Sequence, residues 1–457
     1  MIQKMSAWNF KSWSNTGEIR LAPITGLFGT NSSGKTSILQ LLLMLKQTVE
    51  SADRAQVLNL GDDRSLVELG TFKDVLYNHS RESSVKFNLQ WNLKEPLRVE
   101  DPEHKGNALF DGSIIEFQSE IEGNGSGRLI VSKMLYTFAS HVFSIKKERT
   151  KNEYSLSVEN PSGGNKFRFT RTLGRSWGLP APIKCYGFPD QVKAYYQNAG
   201  FLSDFQLALE ELFSNVYYLG PLREYPKRQY TWAGAQPADM GRAGEKVIDA
   251  ILASRESKEK ISRGRGFKAY SLEEYVAFWL QKLGLIHSFK VEPITPESNL
   301  YHVKVKRSPG SAEVLITDVG FGVSQILPVL TICYYVPEGS TVLLEQPEIH
   351  LHPTVQAGLA DVFIDAIKKR NIQIILESHS EHLLRRLQRR ISEEDISNND
   401  TALYFCEMQD GKSKLRHLDV DLLGNITNWP EGFFGDDFGE IAAMTKARMK
   451  RLKEAGQ

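Results

Sequence analysis

The sequence predicts an α/β fold in which one sheet carries a phosphate-binding loop and a second, antiparallel sheet is inserted. Two observations predict the α/β part. A glycine-bounded turn joins a short apolar strand to an apolar helix near the N-terminus, and apolar strands alternate with helical patterns between residues 285 and 400. A third observation predicts the antiparallel part: between residues 84 and 171, short alternating segments are separated by glycine-rich turns.

The glycine-bounded turn has the pattern G-x-x-x-x-G-K-[ST], which binds the phosphates of nucleotides. Successive backbone N–H groups of such a turn point inward, and the following helix adds the positive end of its dipole. Lys35 is expected to reach the β- and γ-phosphates, and the Thr36 hydroxyl is expected to hold Mg²⁺. The predicted nucleotide-contacting residues of this segment are Gly29, Thr30, Asn31, Ser32, Ser33, Gly34, Lys35, Thr36 and Ser37.

Charge, cysteine content and hydropathy indicate which partners and which cellular compartment to expect. Lys and Arg total 56 against 55 Asp and Glu, so the net charge of +1 gives no overall attraction to nucleic acid or membrane. The three cysteines are odd in number and match no metal-binding spacing, as in a protein of a reducing compartment. No apolar run approaches the ~18 residues of a membrane span. We expect a cytoplasmic protein without a membrane partner.

The remaining patterns divide the chain into five predicted ranges. Residues 1–80 form the N-terminal part of the nucleotide-binding unit. Residues 81–172 form an antiparallel β insertion with strands at 85–91, 113–121, 128–138, 142–147, 154–158 and 166–170. Residues 173–284 form a helical segment with helices at 203–213, 245–253 and 272–283. Residues 285–400 complete the nucleotide-binding unit, and residues 401–457 form a small C-terminal appendage that begins with a hairpin.

Three residues that follow later strands complete a candidate hydrolytic site. A phosphate loop needs a metal-holding carboxylate from a neighbouring strand, and Glu345 follows the apolar strand at 341–344. Glu348 is expected to deprotonate the attacking water. His379, after the strand at 372–376, is expected to sense the γ-phosphate.

The order of these motifs resembles that of the ABC-class ATPases, most closely their OLD, RecF and SMC branch. The resemblance covers residues 1–80 and 285–400 and implies an ABC-type ATPase head with ATP and Mg²⁺ as cofactors. In that class, Glu345 matches the Walker B acid and His379 the switch histidine. The matching segments after the phosphate loop are Gly320-Phe321-Gly322-Val323-Ser324-Gln325, Glu345-Gln346-Pro347-Glu348-Ile349-His350-Leu351-His352-Pro353 and Ser378-His379-Ser380.

The same resemblance implies that the chain works as a dimer. The segment that matches Gly320–Gln325 is the signature motif, which in this class completes the nucleotide site of the partner subunit. Ser324 and Gln325 would therefore contact the ATP bound by the partner, in a head-to-head homodimer or a higher homo-oligomer. ATP would close this dimer, and hydrolysis or product release would open it.

One residue departs from the family pattern. Gln346 follows the Walker B acid, at the position where the family commonly has the catalytic glutamate. An amide cannot act as a base. Two alternatives follow: Glu348 takes over as the base, or turnover is slow and the protein is chiefly an ATP-gated clamp. In both, Gln346 lies beside the nucleotide.

The biological role has three alternatives. ATPases of this kind without a nuclease of their own resemble the ATPase components of two-gene antiphage systems such as Septu and PARIS, which implies a sensor or scaffold that controls a separate effector such as a nuclease or toxin. The second alternative is a DNA-repair or DNA-binding ATPase similar to RecF and SMC proteins. Its candidate nucleic-acid contact is the basic run at 255–268 with Arg263 and Arg265, which a solvated loop also explains. The third is an ATP-bound assembly scaffold with little turnover.

Two further patterns have competing explanations. Arg223, in a Gly-Pro-Leu-Arg loop, either contacts phosphate or a partner subunit, or forms a structural ion pair. Four histidines have spacings suitable for a transition metal, but the nucleotide site already employs one of them. These histidines are His350, His352, His379 and His382.

Overall fold

The computed structural model describes most of the chain. The described residues are 1–80, 84–100, 108–124, 128–149, 153–161, 163, 167–172, 177–257, 259–262, 264, 266–430, 443–449 and 451. Arg263 and Arg265 lie outside the described residues. The nucleic-acid contact that was assigned to them therefore stays a prediction.

Strands and helices alternate along the described chain as an α/β fold requires. The strands are β1 (Ile2–Phe10), β2 (Trp13–Asn15), β3 (Ile19–Arg20), β4 (Ile24–Gly29), β5 (Val85–Glu100), β6 (Ala108–Gly123), β7 (Leu129–Phe138), β8 (His141–Lys147), β9 (Tyr154–Glu159), β10 (Val216–Leu219), β11 (Tyr230–Thr231), β12 (Ser288–Pro293), β13 (Leu300–Lys306), β14 (Val314–Leu315), β15 (Thr341–Glu345), β16 (Gln373–Glu377), β17 (Thr401–Gln409) and β18 (Lys412–His417). The helices are α1 (Lys35–Glu50), α2 (Phe72–Val75), α3 (Gln191–Tyr195), α4 (Leu202–Ser214), α5 (Val247–Ser257), α6 (Leu272–Lys282), α7 (Gly322–Tyr335), α8 (Pro353–Arg370) and α9 (Glu381–Ser392). Single-turn 3₁₀ helices cover Tyr77–His79, Ile316–Asp318 and Asn398–Asp400.

The phosphate loop follows a strand in the middle of a mostly parallel sheet. Within the described residues, the strand order is β10-β15-β16-β4-β17-β18, and only β18 runs antiparallel to its neighbour. Every residue of β15 and β16 is buried, because helices or a second sheet cover both faces of a parallel sheet of this kind. The predicted α/β class is confirmed by this mostly parallel sheet and its covering layers.

A second, antiparallel sheet combines the N-terminal strands with the predicted insertion. Its eight described strands have the order β2-β1-β5-β6-β7-β8-β9, and β3 also pairs with β1. The predicted antiparallel strands between residues 85 and 158 are confirmed. The predicted strand at 166–170 is wrong for residues 167–170, which form no strand. Apolar and polar residues alternate in this segment because Phe167 and Phe169 both pack against Phe143, with ring centroids 6.2 Å from its ring.

Helix α1 lies between the two sheets, which explains why its apolar residues cover more than one side. Ile38, Leu39 and residues 41–45 are all buried, whereas a helix on a protein surface buries a single stripe. These side chains share one core with strands of the antiparallel sheet and with Leu27 and Ile375 of the parallel sheet. A separate core lies on the other face of the parallel sheet and includes residues of α5 to α9.

Strand pairing connects the predicted ranges with one another. Strand β1 pairs with β5, β10 from the helical segment pairs with β15, and β17 from the C-terminal range pairs with β4. Residues 401–417 thus contribute two strands to the central sheet, and the predicted hairpin turns at Asp410 and Gly411, both in left-handed backbone conformation. The division of the chain into five separate units at these boundaries stays a prediction.

The predicted helices of the middle segment are present as α4, α5 and α6. Helix α6 starts with a capping box in which the Ser271 hydroxyl accepts from Glu274 N–H at 3.2 Å. It lies beside a small antiparallel sheet of β11, β12, β13 and β14. No helix in the described ranges is long and apolar enough to cross a membrane.

Lys184 is expected to stabilise the C-terminal end of α1. Its buried Nζ donates to the carbonyls of Val49 at 2.8 Å and Ser51 at 2.7 Å, where a cation also complements the helix dipole. Lys184→Met should lower the free energy of unfolding by about 1–3 kcal/mol, because two carbonyls lose their donor. Chemical denaturation measures this change. The control is Lys193→Met at an exposed position, and equal stability of both variants would contradict the capping role.

Candidate functional site

The phosphate loop between β4 and α1 depends on left-handed backbone at three residues. The φ angles are 139° at Gly29, 58° at Ser32 and 91° at Gly34. A Cβ atom on Gly29 would lie 2.0 Å from the carbonyl oxygen of Cys406 in β17. Residues 30–32 are exposed, whereas Ser33 is buried and its hydroxyl donates to the Thr30 carbonyl at 2.8 Å. The backbone of the loop is therefore held by β17 and by the Ser33 hydroxyl, while residues 30–32 are accessible to solvent.

The Lys35 side chain folds into the loop that precedes it. Its Nζ donates to the carbonyls of Thr30 at 2.7 Å and Gly29 at 3.1 Å. Burial lowers the pKa of Lys35, and the carboxylate of Glu377 opposes that shift most strongly. The Lys35 ammonium group, held at the loop in this way, is placed to bind a phosphate group there.

Three buried glutamates converge on the same edge of the sheet. Glu345 ends β15, Glu377 ends β16, and the two occupy opposite positions in the parallel ladder. Glu348 lies in the turn that follows β15 and is buried as well. Burial raises the pKa of all three carboxyl groups. Perturbed acids at the carboxyl ends of parallel strands are typical of a functional site.

Glu377 is the residue that sequence reasoning missed. The Thr36 hydroxyl donates to its Oε2 at 2.7 Å, and Lys35 Nζ lies 4.0 Å from its Oε1. The sequence contained the same signal that identified Glu345, since an apolar strand ends in an acidic residue in both cases. Only the strand order, with β16 next to β4, shows which acid meets Thr36.

Glu345 faces away from Thr36, toward β10. Tyr218 donates its hydroxyl to Glu345 Oε1 at 3.0 Å. Burial and the neighbouring Glu377 raise the pKa of Glu345 to about 7, although Tyr218 and Arg223 act in the opposite direction. The predicted role of Glu345 on the Mg²⁺ side stays a prediction.

Arg223 lies behind Glu345 rather than in an ion pair. Its Nη2 donates to the backbone carbonyl of Glu345 at 3.4 Å, and burial lowers the pKa of its guanidinium to about 10. Among the described residues, no carboxylate lies within 4.0 Å of it, and its Nε and Nη1 have no hydrogen-bond partner. Its charge nevertheless faces Glu345 and Glu348 and lowers the electrostatic cost of burying them.

Glu348 contacts the backbone of His379, and their predicted roles as base and sensor stay predictions. The N–H of His379 donates to Glu348 Oε1 at 2.6 Å, while Glu348 Oε2 has no partner among the described residues. Burial and the nearby Lys35 lower the pKa of His379. The imidazole is therefore neutral at neutral pH, and both side chains can interact with further polar groups.

Gln346 has a strained backbone beside these acids. Its φ of 43° is in the left-handed region, and its N–H donates to the Glu377 carbonyl at 2.9 Å. Non-glycine residues rarely adopt this conformation, and those that do are concentrated at functional sites. The side chain remains partly exposed at the edge of the sheet.

The signature-like segment forms the start of α7. The Ser324 hydroxyl donates to the Phe321 carbonyl at 2.7 Å, and the buried Gln325 leaves its Nε2 without a partner. No hydrogen bond or ion pair among the described residues joins Ser324 or Gln325 to Gly29–Ser37 of the same chain. Their predicted contact with the partner's nucleotide stays a prediction.

The histidines after β15 have local structural contacts. His350 packs its ring 5.5 Å from that of Phe321, and His352 Nδ1 accepts from Thr354 N–H at the start of α8. In the described part of the chain, no three of His, Cys, Asp or Glu are arranged to hold a metal ion. A magnesium ion here would therefore need oxygens from the nucleotide as well as from Thr36.

Comparison with known proteins gives two family matches. A family model described as "AAA domain, putative AbiEii toxin, Type IV TA system" matches residues 240–385, which include Glu345, Glu348 and His379. A family described as "Protein of unknown function (DUF3696)" matches residues 396–444. No curated protein shows significant similarity to the chain. The first match shows that residues 240–385, about a third of the chain, are similar to an AAA domain.

Similar solved structures include head domains of SMC proteins. The crystal structure of an SMC head bound to the C-winged helix domain of ScpA is 14% identical, with a TM-score of 0.47, over 92% of this chain and 98% of that chain. The SMC head domain from Thermotoga maritima is 11% identical, with a TM-score of 0.41, over 92% and 99%. The Smc head domain from Pyrococcus furiosus, with an extended coiled coil and bound to the C-terminal domain of ScpA, is 11% identical, with a TM-score of 0.45, over 100% and 99%.

Gly29→Ala is expected to abolish nucleotide binding, because its Cβ would collide with the backbone of β17 and displace the loop. The control is Gly17→Ala, where φ is 69° and no atom lies within 4 Å of the new Cβ. Gly17→Ala should cost only the strain of a left-handed alanine backbone, about 1–2 kcal/mol. Binding of a fluorescent ATP analogue measures the difference. Wild-type affinity in Gly29→Ala would contradict the close approach.

Proposed function

We propose that this chain binds ATP with Mg²⁺ and hydrolyses it to ADP and phosphate. The observation that carries the proposal is the contact of Lys35 and Thr36 with the Glu377 carboxylate, at the edge of the parallel sheet where Glu345 and Glu348 also lie. A phosphate loop supplies positive charge and N–H groups, and the acids supply what metal binding and water activation need. ATPase chemistry uses all of these groups.

The residues present fit a magnesium nucleotide. The exposed top of the loop gives phosphates access to backbone N–H groups, and Lys35 already lies at that loop. Thr36, in the first turn of α1, and Glu345, at the end of β15, would hold the metal, directly or through water. When bound, Mg²⁺ neutralises charge on the phosphates and so favours attack on the γ-phosphate.

Glu348 is the proposed base. Its Oε2 is buried without a partner, which leaves an acceptor for the proton of an attacking water. The bond from His379 N–H fixes the other oxygen, so the carboxylate has one orientation. The His379 side chain, beside Lys35, would sense the γ-phosphate. Gln346 would orient the water by hydrogen bonds without accepting its proton.

Gln346 also supports a second candidate, an ATP-bound assembly scaffold with little turnover. It directly follows Glu345, and its backbone N–H binds the Glu377 carbonyl; a side-chain amide at this position can bind water but cannot deprotonate it. In this case ATP binding would hold an assembly together and turnover would be incidental. Measured turnover separates the two candidates.

At the level of assembly, we infer a cytoplasmic head-to-head homodimer that controls a separate effector, such as a nuclease or toxin of an antiphage system. The motif order supports the dimer. A toxin–antitoxin system appears in the description of one matching family, which supports a two-component arrangement. All three cysteines are buried and free, in keeping with a reducing compartment. The DNA-repair or DNA-binding alternative depends on the basic run at 255–268, in which Arg263 and Arg265 lie outside the described residues.

Two variants test the turnover. Lys35→Ala should abolish ATP binding, while Glu348→Gln should retain binding and lower the turnover by about 100-fold or more, since it removes the base. Phosphate release measures turnover, and a fluorescent ATP analogue measures binding. The control is Glu338→Gln, at an exposed carboxylate just before β15. Unchanged turnover in Glu348→Gln would refute the base assignment, and a wild type that binds ATP without turnover would favour the scaffold.

The dimer has its own test. With ATP and Mg²⁺, Glu348→Gln should sediment at twice the mass of the monomer, because trapped ATP keeps the dimer closed. Lys35→Ala should remain monomeric under the same conditions, and ADP should not replace ATP. A mass that is independent of ATP in Glu348→Gln would rule out an ATP-gated dimer.

A further inference from the structure

Two residues of the phosphate loop segment contact the Glu377 carboxylate from the neighbouring strand. Thr36 Oγ1 donates to Oε2 at 2.7 Å, and Lys35 Nζ lies 4.0 Å from Oε1. Only 5% of the Glu377 side chain is exposed. A buried ion pair is weak evidence for stability, because desolvation offsets the attraction between the charges. The contacts of Glu377 therefore suggest a role toward the ligand of the loop.

We propose that Glu377 is a positioning residue for Mg²⁺, which holds the Thr36 hydroxyl so that its oxygen lone pairs face the metal. The inference rests on the proposed nucleotide site and assigns a task within it that the motifs do not assign. It also explains why an acid rather than a small neutral residue ends β16.

The chemistry of the hydroxyl supports this role. A threonine hydroxyl has one proton and two lone pairs. Because the proton is donated to Glu377, the lone pairs stay free for a cation. The negative charge on the acceptor also makes the hydroxyl oxygen a better ligand, as outer carboxylates do for other metal-binding groups.

The position of Glu345 shows why it cannot do this instead. Strand β16 separates β15 from β4, so Glu345 lies two strands from the phosphate loop and Glu377 only one. With about 4.8 Å between neighbouring strands, Glu345 starts about 10 Å away. Its Oε1 also accepts from Tyr218 at 3.0 Å. The two acids therefore have separate surroundings, with Glu377 at the Thr36 hydroxyl and Glu345 at the Tyr218 hydroxyl.

The experiment measures how much Mg²⁺ strengthens nucleotide binding. A fluorescent ATP analogue is titrated in EDTA and in Mg²⁺, and the ratio of the two dissociation constants is the metal coupling. Variants are Glu377→Gln, Thr36→Val and the double variant. The matched control is Glu381→Gln, which removes a partly exposed carboxylate paired with Arg385 in the first turn of α9. Thermal unfolding confirms that each variant is folded.

Glu377→Gln should reduce the metal coupling by about tenfold or more, while binding in EDTA is retained. The double variant should match Thr36→Val alone, because Glu377 acts through that hydroxyl. A partial loss of folded protein changes both constants equally and leaves the ratio unchanged. Coupling in Glu377→Gln equal to that of the control overturns the inference, and so do independent, multiplying effects of the two changes. A wild type that binds no nucleotide would instead refute the proposed function.

Discussion

The backbone ladder that joins β15, β16 and β4 is the constraint on which the candidate site depends. It places Glu345 opposite Glu377 and Glu377 opposite Leu27, two residues before Gly29. The ladder continues beyond the strands, since Gln346 N–H donates to the Glu377 carbonyl and Ser378 N–H to the Leu27 carbonyl. Parallel strands end at one edge, so this pairing places Glu345 and Glu377 at the edge that carries the phosphate loop, and Glu348 follows in the turn after β15.

Burying the charged groups at this edge of the sheet has an electrostatic cost in the free protein. Three buried glutamates face two buried cations, Lys35 and Arg223. Burial disfavours each charged form, and the proximity of Glu345 to Glu377 raises the pKa of Glu345 further. A divalent cation would relieve the repulsion between the acids. Sites of this kind keep an electrostatic cost in the free protein because the bound state needs the charges.

Each of the two sheets supports one end of the phosphate loop. Strand β17 lies under its start, where Cys406 pairs with Gly29. The Trp13 indole, from β2, donates to the Gly34 carbonyl at 3.0 Å at its end. Lys184 then binds the far end of α1. The loop and its helix are therefore held by elements that are distant in sequence.

The sequence by itself determined the local features. Glycines at fixed spacing specified the loop of Gly29–Thr36, apolar runs and alternation specified most strands and helices, and acids after apolar strands identified Glu345 and Glu348. These signals depend on neighbours along the chain. Only the tertiary structure decided that Glu377 meets Thr36 and that β17 completes the central sheet. Strand order is set by packing between distant segments, and no local pattern encodes which acid lies beside the loop.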